Sequence, residues 1–470
     1  MGRAGGPGRW SAVGLALTLG GCAVVGPDYV KPAAIVPAQY KEIKGWKLGQ
    51  PRDDYEKGAW WEVFHDPLLN SLESQVAISN QTLKADEANY RQAQALIAEA
   101  RAQLFPTFTL NGSAQRANST GRPLTTLSIE GDASWTPDIW GKVRRTIEGQ
   151  AAGAQATAAE LANAKLSAQS SLASAYFQLR ETDSLHDLLD DTVKQYQRAL
   201  EITQNQYHAG TTARSDVITA QALVLAAQAQ EINTGIARAQ FEHAIAVLMG
   251  RPPAGLAIPH GSLTHAPPRI PVRLPSTLLE RRPDIAAAER TMQEQNAQIG
   301  VAIAAYYPDI TLTGLLGAAG SPGVRSVGGA NPIWSIGLSL AQTLFNGGLT
   351  DAQVAAARAT YEASVATYRQ AVLTAFQQVE DELVAIRVLA QQEGVQVEAV
   401  KAAEQAVQIA LNEYRAGTQN FTTVVTAEAT ALSDEEALLT TREQRVLAAV
   451  ALVVALGGGW SEAQLPPQTQ

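Results

Sequence analysis

The chain has 470 residues, enough for several ordinary domains or for one elongated repeat structure. Hydrophobic residues make up 46% of it but aromatic residues only 6%, and alanine is the most frequent of the hydrophobic residues. This composition favours long, closely packed helices over a thick globular core. The net charge of -9 argues against a nucleic-acid partner, and the single cysteine, Cys22, excludes a disulfide framework and a cysteine-based metal site.

The N-terminus has the pattern of a bacterial export signal. Charged arginines precede an apolar stretch, Trp10 to Leu19, that is too short to span a bilayer as a helix. Small residues stand directly before Cys22, as in a lipobox, in which the cysteine is acylated. We expect a lipoprotein signal peptide over 1–21, covalent lipid on Cys22 and an N-terminal lipid-anchored tether over 22–65. The alternative is an ordinary signal with an incidental cysteine.

The rest of the chain repeats itself once. The sequence Asn205-Gln-Tyr-His-Ala-Gly-Thr211 recurs 207 positions later as Asn412-Glu-Tyr-Arg-Ala-Gly-Thr418. In each copy the glycine ends a long helical pattern, and a second helix, starting at Thr211 in the first copy, follows it. We predict a first repeat over 66–267, a second over 268–460 and a polar C-terminal tail over 461–470.

Near these two turns the long helices carry a heptad seam, which indicates coiled-coil packing. Its members are Val193, Tyr196, Leu200, Thr203 and Tyr207 in the first copy, and Val400, Ala403, Val407, Ala410 and Tyr414 in the second.

Four segments alternate between apolar and polar residues, with about the ten-residue length of a barrel strand. The candidates for a lipid-facing side are Leu110, Ile129, Trp135, Ile310, Leu312, Trp334, Ile336 and Leu338. The candidates for a polar, partly negative lumen are Thr107, Thr109, Asn111, Ser113, Ser128, Glu130, Asp132, Ser134 and Thr136. Because the smallest transmembrane barrels need about eight strands, four strands predict that several copies assemble.

Several motifs resemble the TolC-like outer-membrane efflux family, over essentially all of the mature chain. They are Trp60-Trp61…Phe64-x-Asp66-Pro67-x-Leu69, Arg281-Arg282-Pro283-Asp284-Ile285, Asn296-Ala297-Gln298-Ile299-Gly300-Val301 and Ala375-Phe376-Gln377-Gln378-Val379-Glu380-Asp381. The ending Ala455-Leu456-Gly457-Gly458-Gly459-Trp460, together with the lipobox, resembles the NodT-type lipoprotein branch of that family.

The resemblance implies a mainly α fold with a small β part, in which long antiparallel coiled-coil helices accompany two transmembrane β-hairpins per chain. Three chains would form a homotrimer with a 12-stranded β-barrel in the outer membrane of a Gram-negative bacterium. A 12-helix α-barrel would continue this barrel into the periplasm. There it would meet a periplasmic adaptor protein attached to an inner-membrane pump of the RND type.

The resemblance also places functional sites at the two turns. It implies a periplasmic gate at Ser215, Asp216, Tyr414, Gln419, Thr423 and Thr426, and adaptor-docking tips at Gly210, Thr211, Gly417 and Thr418. Relatives often carry carboxylates at the positions of Thr423 and Thr426, so an acidic ring is not implied here. Helix capping is the plain structural alternative for Asp216 and for the two glycines.

No motif indicates an enzyme, a cofactor or a metal site. The six histidines show no HExxH spacing, and there is no phosphate loop and no Gly-x-Ser-x-Gly. We expect His260 and His265 to be solvated, and Glu380-Asp381-Glu382 to lie on a solvated or tube-lining helix face. The leading interpretation is a passive exit duct for small molecules such as drugs. The alternatives are a duct for ATP-driven protein secretion and a non-conducting envelope tether.

Overall fold

The computed structural model describes residues 24–33, 36–42, 58–118, 121, 123–263, 268, 270, 279–320 and 331–467. The predicted signal peptide, Cys22 and His265 lie outside the described residues. None of the helices in the described part of the chain is both long enough and apolar enough to cross a lipid bilayer.

Apart from α1, which has no counterpart among the described elements of the second set, the elements occur in two successive sets with the same order. The first set is α1 (Pro67–Ser79), α2 (Gln81–Ala102), β1 (Thr107–Asn118), β2 (Pro123–Trp135), α3 (Lys142–His208) and α4 (Arg214–Leu248). The second is α5 (Pro283–Ala304), β3 (Asp309–Gly320), β4 (Asn331–Ala341), α6 (Leu349–Arg415) and α7 (Phe421–Ala455). Both α3 and α6 have 67 residues, and both α4 and α7 have 35.

The described parts of the chain form two compact units. One contains 24–30, Leu96–Gln150 and Gln293–Glu362, and therefore all four strands. The other contains Lys31–Ala95, Ala151–Met292 and Ala363–Gln470, and therefore both helical turns.

In the first unit, the four strands form one antiparallel sheet in the order β1-β2-β3-β4. Beyond the strands, the Trp140 indole stacks on the Tyr307 ring with centroids 4.8 Å apart. Its Nε1 donates to the Pro308 carbonyl oxygen at 2.8 Å, which joins the first repeat to the second.

The segment that follows Cys22 is docked in this first unit by a buried arginine. Arg145 is 3% exposed, and its guanidinium donates to the carbonyl oxygens of Val25 at 3.0 Å and Gly26 at 3.2 Å. The Val25 amide donates to the Trp140 carbonyl oxygen at 3.1 Å. A Cβ on Gly300 would lie 2.8 Å from the Val25 carbonyl oxygen, so only glycine allows this approach.

In the second unit, α1 begins as the sequence indicates. Asp66 is its N-cap and accepts hydrogen bonds from the amides of Leu68 and Leu69, while Pro67 occupies the first turn. The other carboxylate oxygen of Asp66 accepts from the Tyr176 hydroxyl at 2.6 Å. The cap therefore also fixes α1 against α3.

The heptad seam is confirmed in the second copy, where all five predicted residues of α6 are buried. In the first copy Val193, Tyr196 and Thr203 are buried, and the half-buried Leu200 packs against the core clusters that contain Tyr196 and Ala199. Tyr207 is 42% exposed, so its assignment to the seam was wrong. The buried positions of α3 turn gradually away from the predicted stripe near the end of the helix.

His260 is 47% exposed, as predicted, and it also contacts two aspartates. Its Nδ1 lies 3.3 Å from Asp183 Oδ1, and its Nε2 lies 2.9 Å from Asp187 Oδ1. Asp183 is fully buried and also accepts from Arg238 Nε at 2.7 Å and from the Gly261 amide at 3.1 Å. The linker after α4 is thus held on the helices by a shared carboxylate.

Glu380 is not merely part of a solvated or tube-lining face. Its two carboxylate oxygens accept from the backbone amides of Lys41 at 2.6 Å and Glu42 at 2.9 Å. Beside them the Tyr40 ring is 1% exposed and makes an edge contact with Phe376. This part of the tether is therefore bound to α6.

Candidate functional site

The sheet has one apolar face. It carries all eight residues predicted to contact lipid: Leu110, Ile129, Trp135, Ile310, Leu312, Trp334, Ile336 and Leu338. Leu110 pairs with Gly131, which shares a face with Trp135 because alternate residues of a strand point the same way. Trp135 pairs with Leu312, and Leu312 pairs with Leu338. In the single chain all eight side chains are exposed or half-buried.

The opposite face is polar across β1 and β2. Thr107, Thr109, Asn111 and Ser113 pair with Ser134, Asp132, Glu130 and Ser128, respectively. Cross-strand hydrogen bonds follow from this register, since Asn111 Nδ2 donates to Asp132 Oδ2 at 2.7 Å and the Ser113 and Ser128 hydroxyls are 2.9 Å apart. The face can therefore present hydroxyl, amide and carboxylate groups to water.

The two helical turns have the same backbone structure. Gly210 and Gly417 have φ values of 77° and 71°, in the left-handed region that glycine adopts without strain. The amides of Thr211 and Thr418 donate to the carbonyl oxygens of Gln206 at 2.9 Å and Glu413 at 3.0 Å. These are the hydrogen bonds of a glycine C-cap. No atom lies within 4 Å of a Cβ built on either glycine, so both turns present open surface in the single chain.

The first-copy gate residues lie at the start of α4. Asp216 Oδ2 accepts from the Thr212 hydroxyl at 2.6 Å, and Oδ1 from the Ser215 hydroxyl at 3.4 Å. The N-cap of α4 is Ala213, which makes no side-chain hydrogen bond, so the capping alternative for Asp216 is wrong, and α4 starts at Arg214 instead of Thr211. Asp216 lies in the first turn of the helix, where a negative charge interacts favourably with the helix dipole.

The second-copy gate residues are divided between core and surface. Tyr414 is 4% exposed, packs on Phe421 and accepts at its carbonyl oxygen from Gln206 Nε2 at 3.2 Å, which joins the two hairpins. Thr423 is exposed and donates to Asn420 Oδ1 at 3.1 Å and to Gln419 Oε1 at 3.4 Å, while Thr426 donates to a backbone carbonyl. Within the described part of one chain, the hydrogen bonds of Ser215 and Asp216 thus stay in the first turn, and those of Thr423 stay in the second.

A family model described as "Outer membrane efflux protein" matches residues 72–251 and 274–458. The chain belongs to the outer membrane efflux protein family.

Its relatives match nearly the whole chain. Toluene efflux pump outer membrane protein TtgC of Pseudomonas putida is 30% identical over 467 residues, which cover 96% of each chain. Nodulation protein T of Rhizobium leguminosarum bv. trifolii is 28% identical over 96% of this chain and 98% of its own. Among solved structures, the outer-membrane channel OprN has a TM-score of 0.84 at 29% identity, covering 93% and 99% of the two chains. The predicted TolC-like fold, outer-membrane location and efflux function are confirmed.

Besides the predicted residues, this outer membrane efflux protein has a cavity of about 850 Å³ close to the second turn. It is bordered by α3, α6 and α7. Glu428 of α7 lines it and is 5% exposed, and its Oε2 is buried and makes no hydrogen bond within the described residues. Burial raises the pKa of this carboxyl to about 7.

The sequence prediction gave Glu428 no role. One feature of the sequence could have indicated one. Glu428 follows Phe421 and Val424 at helical spacing, and both of these residues are buried. A carboxylate on such a stripe is unusual, because an ionised side chain there would have to leave water.

Proposed function

We propose that the protein is the passive outer-membrane exit duct of a tripartite efflux system. In this role it receives small molecules, such as drugs or other toxic compounds, from an inner-membrane pump of the RND type through a periplasmic adaptor. The observation that carries the proposal is the sheet formed by the two hairpins of the chain, with one apolar face and an opposite face that is polar across β1 and β2. Such a sheet suits a wall between lipid and a water-filled passage.

The cargo class follows from the relatives. Their names assign toluene to TtgC, solvents to SrpC of Pseudomonas putida and pyoverdine to OpmQ of Pseudomonas aeruginosa. These are small molecules, which favours small-molecule export by this chain over the alternative of protein secretion. A passive duct needs no catalytic group, and its contribution is shape and electrostatics.

The proposed assembly is a homotrimer with a 12-stranded β-barrel and a 12-helix α-barrel. The sheet of one chain has two unpaired outer edges, on β1 and β4, whose backbone groups need partners in lipid. In addition, α4 exposes an apolar stripe opposite its buried face, and α6 exposes a second one. These stripes are Ile218, Leu225, Ile232, Ile236 and Val247 on α4, and Leu373, Val388, Val395 and Ile409 on α6.

The anchor and the gate complete the proposal. Lipid on Cys22 would enter the membrane beside the docked segment that begins at Val24. The gate residues are those of the sequence prediction, Ser215, Asp216, Tyr414, Gln419, Thr423 and Thr426. Within one chain, the hydrogen bonds given for Ser215 and Asp216 stay inside the first turn and do not reach the second-copy gate residues. Closure would therefore use hydrogen bonds between neighbouring copies.

A pair of lysine substitutions on one strand tests the duct. Ile129 and Ser128 are neighbours on β2 and lie on opposite faces of the sheet. Ile129→Lys places a charge in lipid, which costs about 2–4 kcal/mol at the bilayer midplane. We expect it to abolish membrane assembly and single-channel conductance, whereas Ser128→Lys retains both. A purified wild-type assembly that shows no conductance in a planar bilayer would point to the envelope tether instead.

Adaptor docking at the tips, Gly210, Thr211, Gly417 and Thr418, has its own test. Gly210→Trp and Gly417→Trp add bulk where the single chain leaves open space. We expect each variant to form trimers yet to leave a deletion strain as drug-sensitive as the empty vector. Full restoration of resistance by both variants would contradict docking at the turns.

A further inference from the structure

The cavity beside the second turn is lined by three helices from both hairpins. Its apolar wall includes Ile202 of α3, Leu411 of α6 and Ala431 of α7, and its volume is about 850 Å³. Cavities of about 300–1,000 Å³ are typical of small-molecule sites. This cavity has the size for an organic ligand of drug size, and polar and apolar residues share its lining.

Glu428 is the group in this cavity that lacks a partner. A buried carboxylate normally meets an arginine or several hydrogen-bond donors. Glu393, on the same hairpin, accepts from Arg442 Nε at 3.1 Å and from Arg445, and these arginines hold its pKa below the usual value against the effect of burial. Among the described residues Glu428 has no such cation, although it is buried more deeply than Glu393.

The other charged groups that line the cavity leave it negative when Glu428 is ionised. Glu404 of α6 and Glu435 of α7 contribute carboxylates, and Arg198 of α3 and Arg415 of α6 contribute guanidinium groups. Three carboxylates against two guanidiniums leave one negative charge in excess.

An aromatic ring completes the set. Tyr196 of α3 lines the cavity, and burial together with the nearby Glu428 and Glu435 carboxylates raises its pKa to about 12. A tyrosine ring close to carboxylates is a favourable surface for a cation that also carries apolar groups.

We propose that this cavity binds an amphipathic organic cation whose positive group pairs with the Glu428 carboxylate and whose apolar part rests on the wall formed by α3, α6 and α7. A bare metal ion fits less well, because no group of three or more His, Cys, Asp or Glu in the described residues is arranged to hold one. The site is separate from the gate residues and from the turns.

Such a ligand would connect the two hairpins. Its wall comes from α3 in the first hairpin and from α6 and α7 in the second, so a bound cation contacts both. A ligand stabilises the arrangement that it binds best. Occupancy would therefore favour the relative position of the hairpins seen here.

Binding can be measured on the purified full-length protein by isothermal titration calorimetry at pH 8. The probe is tetraphenylphosphonium, and the control ligand is tetraphenylborate, which has the same shape and the opposite charge. We expect saturable binding of the phosphonium and at least tenfold weaker binding of the borate. Glu428→Gln should weaken phosphonium binding about tenfold, whereas the exposed Glu201→Gln should leave it unchanged.

The pH dependence gives a second readout. With a pKa of about 7, Glu428 is mostly neutral at pH 6 and mostly ionised at pH 8, so phosphonium affinity should rise about tenfold over this interval. The Glu428→Gln variant should lose that rise, although Glu404, Glu435, Tyr196 and the two arginines remain. If it keeps the same pH dependence, Glu428 is not the partner.

A third variant separates loss of charge from loss of space. Ala431→Phe keeps Glu428 but takes up part of the cavity, and it should also weaken phosphonium binding. Equal binding of phosphonium and borate, or unchanged binding in both Glu428→Gln and Ala431→Phe, would overturn the proposal. Because the measurement needs no transport, it is independent of the proposed efflux function.

Discussion

Glu73 shows how strongly burial controls single residues in this protein. It lies on α1 with 0% of its side chain exposed, and burial raises its pKa to about 9, while the Ala173 backbone lowers the pKa by a smaller amount. The folded chain therefore holds this carboxyl as a neutral acid at neutral pH.

Replacing Glu73 should change how stability depends on pH. Between about pH 4.5 and 9 the folded state keeps the proton and the unfolded state releases it, so unfolding becomes more favourable as pH rises. The slope is at most about 1.4 kcal/mol per pH unit. Glu73→Gln removes this contribution, and its thermal unfolding midpoint should exceed that of the wild type at pH 8 by more than at pH 5. The exposed Glu62→Gln should show no such difference.

Asp183 is the residue that holds the linker after α4. Asp183→Asn removes the negative charge beside Arg238 and Arg180, the latter only 8% exposed. An unpaired buried charge costs several kcal/mol, so the linker should detach more often. Hydrogen exchange at the Gly261 amide, which donates to Asp183, should accelerate at least tenfold.

The matched control for this substitution is Asp190→Asn. Asp190 pairs with Lys194 on the exposed surface of α3, where ion pairs contribute little. Equal acceleration at the Gly261 amide in both variants would show that the Asp183 carboxylate does not hold the linker.

At the scale of elements, glycines that end helices fall into two groups. Gly417 and Gly457 both have positive φ, at 71° and 99°. A Cβ on Gly417 would meet nothing within 4 Å, but a Cβ on Gly457 would lie 2.2 Å from the Arg281 carbonyl oxygen. Gly457 therefore allows both the left-handed backbone of the turn and the close approach of two backbone segments.

Alanine at these two positions should separate the two effects. Gly417→Ala carries only the cost of a left-handed backbone, about 1–2 kcal/mol. Gly457→Ala adds a clash with backbone, so its thermal unfolding midpoint should fall clearly further. Equal midpoints for the two variants would mean that the chain near Arg281 moves away at little cost.

The sequence predicted those features that depend on local pattern. Strict alternation located the apolar sheet face, and glycine followed by threonine located both turns. The heptad at Tyr414 was correct because the second copy keeps its seam to the end of α6, whereas Tyr207 was wrong because α3 turns away from that stripe. The hydrogen bonds of His260 and Glu380 were not predicted, because their partners lie 73 and more than 300 positions away in the sequence.

At the scale of the whole molecule, we expect the exposed apolar stripe on α4 to form a contact between neighbouring chains. Ile232 is 77% exposed in the single chain, and we expect a neighbouring copy to cover it. Ile232→Glu would bury an unpaired charge in that contact and should shift the protein from trimers to monomers in light scattering and native mass spectrometry. Asn233→Glu, one residue further and also exposed, should remain trimeric. An intact Ile232→Glu trimer would exclude this stripe from the contact.

The equal lengths of corresponding helices restrict how such a chain can change over generations. The helices α3 and α6 both have 67 residues, and α4 and α7 both have 35. An insertion in one long helix would shift the phase of its seven-residue stripe and move one turn beyond the other. Lineages that descend from this duplication should therefore gain or lose residues by whole heptads, with each change in one half matched in the other.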